Sequence, residues 1–401
     1  MRELNDWLDS YMLYMENTES AKIYHKWTSI SVIAAVLRKK VRLSLGRIRI
    51  YPNLYIVLVG PPGGPRKSQA ITFATEFLAN IPDITYSADA TTPQALVQDL
   101  EGSAVDEQMA DGSTFRHASL TIISKEFESF LGAKTENTRM ITYLTDLYDA
   151  QEVPWKYRTK HSGSNIIPSV FLNMQAATTP DSIANTLPTT AVGMGLTSRI
   201  TYLWATDKYK PITAPVETPE DIDLREKLAK DLYVISRLVG EYKYDKKCFV
   251  EWDKWYQSYR ALSPNRICQD PTFDAWYQRK PNTAQKISIV CAASRSNEFI
   301  IKTQDMERSL SLLEEAEAQM EHVFRAVGRS TIAVDVALVV NIVKAKKWIT
   351  EKQLLSLVWR DIDSGKFDNV IATATKRGLV KRLYVGPNGE KGDIWYYYTG
   401  R

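Results

Sequence analysis

Apolar residues recur along the chain with changing periods, and each change marks an element. Over residues 4–15 and 21–37 the period is helical. In the second stretch Ile23, Trp27, Ile30, Ile33, Ala34 and Leu37 line one stripe behind a polar start, Asn17-Thr18-Glu19-Ser20. Alternation follows at Val41, Leu43 and Leu45 and again at Ile48 and Ile50 past Gly46, which predicts a short hairpin. Continuous apolar runs then occur at 55–59, 120–123, 170–177 and 200–205. A run that is apolar at nearly every position suits a strand buried on both faces of a parallel sheet. Helical stretches separate these runs, so the expected fold is α/β with a mostly parallel sheet. A Pro-rich connection at 211–219 opens a helix-dominated region. There Trp252, Trp255, Tyr256 and Tyr259 repeat at i, i+3, i+4 and i+7, the spacing of a core-facing stripe.

The last part has its own order. Helical patterns at 331–346, 351–359 and 364–378 precede two strand-like runs, 379–385 and 393–398, which flank a Gly-rich turn at 386–392. Three helices followed by a β-hairpin is the order of a winged helix. The expected organisation is a segment at 1–50 packed on a core at 51–210, a helical lid-like region at 211–330, and a winged helix at 331–401. A length of 401 residues supports two or three domains.

Composition adds exclusions. The chain is 44% hydrophobic and 24% charged, which rules out a disordered or fibrous protein. No apolar run reaches the roughly 18 residues of a membrane span, and the acidic start lacks a signal-like apolar block. Cys248, Cys268 and Cys291 lie far apart without metal-ligand spacing, so a reducing, cytoplasmic setting is expected. Of 51 Lys/Arg and 47 Asp/Glu, 12 and 7 fall in 331–401, leaving 39 and 40 for the rest. A basic terminal module on a neutral body favours a nucleic-acid partner; a merely solvated face is the alternative.

The sharpest chemical signal follows the first buried run. Gly60-Pro61-Pro62-Gly63-Gly64-Pro65-Arg66-Lys67-Ser68 leads into a helix-like stretch that begins with Gln69. Strand, Gly-rich loop, Lys-Ser and helix is the order a phosphate-binding loop needs. Small residues let backbone N–H groups approach the phosphates, and the helix N-terminus attracts negative charge. Lys67 would reach the β- and γ-phosphates of ATP, and the Ser68 hydroxyl would hold Mg²⁺. Two departures stand out: Lys67 lies seven positions after Gly60 instead of six, and Arg66 replaces a glycine. An ordinary Gly/Pro turn is the competing reading.

The loop and several other segments together resemble one family. They are Asn17-Thr18-Glu19 before a helix, Tyr51-Pro52-Asn53-Leu54-Tyr55 before the loop, and Tyr148-Asp149 with Trp155-Lys156-Tyr157-Arg158-Thr159-Lys160. Ala177-Thr178-Thr179-Pro180 and Gly195-Leu196-Thr197-Ser198-Arg199 complete the set. The family is the phage and prophage P-loop ATPases found among replication genes and described as helicases or primase-helicases. The resemblance covers roughly residues 4–210, and within that family the longer loop and Arg66 are normal. It implies a RecA- or AAA+-like, ring-forming ATPase, a hexamer, acting in phage DNA replication beside other replication proteins.

Further parts of such a site can be sought by position. Hydrolysis needs a carboxylate at the end of a neighbouring strand. Glu126 after the 120–123 run is the candidate, also as a metal ligand with Ser68; Glu128 is the fallback. The residue before Glu126 is Lys125 and not an aspartate, so Asp149 is considered as a second metal carboxylate. Thr178 at the end of the third run would sense the γ-phosphate, with Gln175 and Asn173 behind it; an internal hydrogen-bond network is the alternative. Arg199 before the fourth run is a candidate for an arginine supplied in trans. Arg279-Lys280 could place a cation over the nucleotide.

Lys156, Arg158, Lys160 and His161, interleaved with Trp155 and Tyr157, suit single-stranded DNA, where cations track phosphates and rings stack on bases. An inter-subunit or nucleotide contact is the alternative for this block. In the winged helix, Lys366, Lys376, Arg377, Lys381, Arg382 and Lys391 are the candidate contacts to duplex DNA, with protein docking as the module's other use. Two functions compete: an ATP-driven DNA translocase or helicase, and an ATP-switch loader or initiator that unwinds nothing. A packaging motor and a small-molecule kinase fit less well, and no primase active site is evident.

Overall fold

The run Tyr55–Val59 is a strand in which every residue is buried. It lies between Val170–Thr178 and Ile200–Trp204, parallel to both. Thr114–Ser124 continues the sheet in parallel beyond Val170–Thr178, and Ala104–Gln108 closes that edge antiparallel. In this computed structural model the described residues are 2–87, 91–109, 112–132, 134–159, 163–187, 195–323, 331–359 and 362–400. They form two compact units, Met1–Val327 and Gly328–Arg401. The fold is mixed α/β with mostly parallel pairing, as the four apolar runs predict. Because the strands run in parallel, their C-terminal ends share one edge of the sheet and their N-terminal ends the other.

Helix Lys22–Leu37 packs against this sheet and is buried almost all round, with Tyr24 and Trp27 fully enclosed. The polar start read before it does not cap it. Ala21 is the N-cap residue and makes no side-chain capping bond. The predicted helix at 4–15 forms as Trp7–Tyr14, where the Asp6 side chain accepts from the Asp9 N–H. A second sheet joins distant parts of the first unit. Val41–Leu45 pairs with Ile48–Ile50 as the predicted hairpin, and on its other side runs parallel to Gly240–Tyr244, which in turn pairs with Ile300–Ile301. The N-terminal segment and the helix-dominated region therefore share one sheet, and both belong to the same compact unit as the five-stranded sheet.

The second unit has its own core, including Val339, Val343, Leu354, Val370 and Tyr396. Helices Thr331–Lys346, Glu351–Val358 and Ser364–Lys376 precede the antiparallel pair Val380–Val385 and Lys391–Tyr398. Trp348–Thr350 adds a third strand against Lys391–Tyr398. Thr350 and Gln353 form a reciprocal capping box, and Asp363 caps the third helix. No described helix is long and apolar enough to cross a membrane.

Candidate functional site

The loop at 60–66 leaves the C-terminal end of strand Tyr55–Val59 and enters helix Lys67–Ala79. Two of its glycines are dictated by space. A Cβ on Gly60 would stand 2.4 Å from the Ala205 carbonyl oxygen, and one on Gly64 would stand 2.7 Å from that of Thr206. Gly63 takes a positive φ of 72°, and Arg66 is left-handed at φ 56° and ψ 42°. Pro61, Pro62 and Pro65 lack an N–H. Among the described residues, the N–H groups of Gly63, Arg66, Lys67 and Ser68 have no hydrogen-bond partner. Unpaired donors at a helix N-terminus, beside a left-handed turn, form a site for an anion.

Lys67 is folded back on the loop, its ammonium donating to the carbonyls of Gly60 at 2.7 Å and Pro61 at 2.9 Å. Burial pulls its pKa below the ordinary lysine value, and the carboxylate of Glu126 pulls it back up. Glu126, an exposed residue past the end of Thr114–Ser124, is thus within electrostatic reach of Lys67 although a strand intervenes. Ser68 is exposed, and its hydroxyl is unbonded among the described residues.

The loop is stapled by residues that the sequence pattern assigns to a helix start. The Ser20 hydroxyl donates to the Arg66 carbonyl, and the Ala21 N–H to that of Pro65. The Tyr24 hydroxyl donates to the Val59 carbonyl at 2.6 Å and accepts the Ala205 N–H at 3.1 Å. Glu19 binds Lys208 at 2.7 Å and Arg66 at 2.9 Å. The bond from Lys208, then that from the Ile212 N–H, holds the Glu19 carboxyl down at about 2. Arg66 is therefore tied back to Glu19.

Strand alternation separates the three polar residues of Val170–Thr178. Asn173 faces helix Lys22–Leu37, where it donates to the Ser31 hydroxyl and carbonyl and accepts the Leu54 N–H. That is the internal network. Gln175 shares this face in register with Ile56 and Ile123, fully buried, with neither amide atom bonded among the described residues. Thr178 lies on the other face at the strand's end, and its carbonyl accepts the Gly60 N–H at 3.4 Å. Of the three, Thr178 adjoins the loop.

Arg199 is at the opposite edge. Ile200 pairs with Tyr55 and Trp204 with Val59, so at about 3.3 Å per residue Arg199 lies roughly 20 Å from the start of the loop. Its guanidinium binds Asp149 at 3.0 Å and the Gly195 carbonyl at 2.9 Å. Asp149 also meets Arg279 at 3.6 Å. This placement removes Asp149 as a metal ligand beside Ser68, because its carboxylate serves two arginines at the far edge. Arg279 is held there too, and Lys280 forms a buried pair with Glu317; neither cation covers the loop.

Arg199, Asp149, Thr145, Trp155 and Tyr157 line a cleft of about 740 Å³. The hairpin Trp155–Thr159 and Gly163–Ile167 forms one wall. Its alternation turns Trp155 and Tyr157 onto Tyr143, at 5.5 and 5.7 Å between ring centres, and leaves Lys156 and Arg158 exposed. Rings and cations that interleave in sequence thus face opposite ways. Lys160 and His161 lie outside the described residues.

In the second unit Lys366 is paired with Asp335 at 2.7 Å and Arg382 with Glu351 at 3.4 Å. Lys376, Arg377, Lys381 and Lys391 are exposed and carry no ion pair among the described residues. No protein-family model matches the chain, and no curated protein matches its sequence.

The loop residues fit a triphosphate with Mg²⁺. Unpaired N–H donors, a lysine held by two replaceable carbonyl contacts, an open hydroxyl at Ser68 and an exposed carboxylate at Glu126 suit phosphate oxygens and an ion that keeps several of its waters.

Proposed function

We propose that the chain is a Mg²⁺-dependent ATPase of phage-type DNA replication, a DNA translocase or helicase working as a head-to-tail ring. The observation that carries the reading is the loop itself. Four N–H groups without partners among the described residues and Lys67 meet at one helix N-terminus, with Glu126 close enough to shift the lysine's pKa. In this account Lys67 exchanges the Gly60 and Pro61 carbonyls for phosphate oxygens, and the N–H groups of Gly63, Arg66, Lys67 and Ser68 take others. Ser68 and Glu126 hold the metal side, and Glu126 also orients the attacking water. Bound Mg²⁺ supplies charge neutralisation on the phosphates. In this account Thr178, at the end of the strand beside that of Glu126, senses the γ-phosphate, and Gln175 takes no part.

Arg199 cannot serve its own loop at that distance. Head-to-tail association brings the far edge of one copy against the loop edge of the next and gives Arg199 a phosphate to meet. The order of three helices and a β-hairpin supports a winged helix in the second unit, with Lys376, Arg377, Lys381 and Lys391 on DNA phosphates. Lys366 and Arg382 serve the fold of that unit. Lys156 and Arg158 are exposed for a single strand, without stacking by Trp155 or Tyr157. The test is ATP hydrolysis measured with and without single-stranded DNA, beside strand displacement on forked DNA. The account expects hydrolysis stimulated by the strand, with unwinding. Stimulated hydrolysis without unwinding identifies a loader or initiator, and no hydrolysis overturns the reading.

A further inference from the structure

At the far edge of the parallel sheet, cations outnumber their counter-ion. Asp149 presents Oδ2 to Arg199 at 3.0 Å and Oδ1 to Arg279 at 3.6 Å, so one carboxylate answers two guanidinium groups. The Arg199 side chain is only 9% exposed, and its Nε has no partner among the described residues. Beneath them lie two more cations. Lys286 is buried with its ammonium 4.0 Å from the Tyr148 ring centre, and it donates to the side chain and carbonyl of Asn53. Lys39, also buried, donates to the carbonyls of Ala150, Gln151 and Val170. Burial above all, with smaller pushes from Lys39, Arg279 and Arg199, lowers Lys286 to about 7 against the upward pull of Asp149. Asp149, Lys39, Arg279 and Arg199 thus all act on Lys286, and the Glu152 carboxylate acts on Lys39.

The carboxylate is presented by a tightly fixed turn. Ala150 has a positive φ of 47°, a left-handed conformation that is strained for a non-glycine residue. Lys39 and Lys286 hold the turn by the carbonyls on either side of Asp149, those of Tyr148, Ala150 and Gln151. Asp149 itself stays 45% exposed and lines the 740 Å³ cleft. A solvent-facing carboxylate shared by two arginines over buried positive charge is a contact that a more highly charged anion can replace. Guanidinium forks match phosphate oxygens as well as they match a carboxylate.

We infer that Arg199 and Arg279 form a phosphate-binding site whose resident anion is Asp149, displaced when the phosphate chain of a nucleotide carried by a second copy reaches the two guanidinium groups. The inference deepens the head-to-tail reading above and rests on it for the source of the phosphate. It adds a second arginine, from the helix-dominated region, and a carboxylate that keeps the pair in place until the neighbour arrives.

The probe is inorganic tripolyphosphate, titrated calorimetrically into the full chain carrying Lys67→Ala, so that the loop is weakened and the far edge is read. Adding Arg279→Gln is expected to weaken binding roughly tenfold or more, the worth of a charged hydrogen bond. Arg199→Lys keeps the charge without the fork and should retain part of the affinity. Asp149→Asn removes the competitor at constant shape and should tighten binding several-fold. Circular dichroism checks that each variant is folded. Affinity indifferent to Arg279→Gln, or weakened by Asp149→Asn, overturns the site. If that happens while Lys67→Ala still abolishes ATP hydrolysis, the far-edge site fails and the ATPase reading stands. If binding follows the arginines but the unsubstituted protein hydrolyses nothing, the site stands and the ATPase reading fails.

Discussion

The two edges of the parallel sheet treat their cations in opposite ways. At the loop edge Lys67 rests on two main-chain carbonyls, the Ser68 hydroxyl is unbonded among the described residues, and Arg66 is drawn aside by an ion pair with Glu19. At the far edge Lys39 donates to three carbonyls and Lys286 to Asn53 and Tyr148, deep in the unit. A buried ammonium with its donors satisfied is structural, since removing its partners would leave a charge that burial penalises heavily. A half-buried ammonium on replaceable contacts is free to meet a ligand. Arg199 and Arg279 stand between the two cases, held by one shared and half-exposed carboxylate.

The comparison breaks most easily at Lys67. Lys67→Ala should lower ATP turnover by on the order of a hundredfold or more, because the loop loses its one ammonium over the phosphates. Steady-state phosphate release checks it, and ordinary turnover would make the loop a structural turn. Glu126→Gln should bind ATP with little change yet lose most hydrolysis, on the order of a hundredfold, as expected for a lost general base. Binding of a fluorescent ATP analogue beside turnover separates the two effects, and loss in Glu128→Gln instead would move the role by two residues.

Removing residues 328–401 should spare hydrolysis but weaken DNA binding and flatten its salt dependence. Four lost phosphate contacts, at about 0.9 each, amount to a slope change of roughly 3 to 4 in log K against log salt. An unchanged slope would mark the second unit as a protein-docking module. The smallest effect concerns the buried lysines. Burial lowers both Lys39 and Lys286 to about 7, against 10.5 for an ordinary lysine. Between those values the unfolded chain binds more protons, so stability should rise with pH from about 7 to about 10.5. Urea unfolding across that range should show a flatter rise in Lys39→Met and Lys286→Met than in the unsubstituted chain.

What the sequence made legible was whatever is coded by local pattern. The runs 55–59, 120–123, 170–177 and 200–205 are strands because a strand covered on both faces must be apolar at nearly every position. The Gly/Pro loop before Lys67-Ser68 reads clearly for the same local reason. Gly240–Tyr244 was missed because Tyr242 alone of its five residues is buried, so the strand carries no usable period. Asn17-Thr18-Glu19-Ser20 was read as a helix start, whereas Glu19 and Ser20 use their polar groups on a loop more than forty residues away. Interleaved basic and aromatic residues at 155–158 looked like one surface, and the period of two in a strand divides them between two. Asp149 could not be placed because its partners, Arg199 and Arg279, are fifty or more residues distant.

The central claim is that the loop edge of one copy is completed by the far edge of another. Mixing Arg199→Ala with Lys67→Ala subunits tests it most directly, since each variant leaves a different half of the shared site intact. The account predicts that each variant alone is nearly inactive, that the mixture recovers part of the ATPase activity, and that the specific activity of the unsubstituted protein rises with its concentration. A mixture as inactive as its components, together with turnover that does not depend on protein concentration, would contradict it.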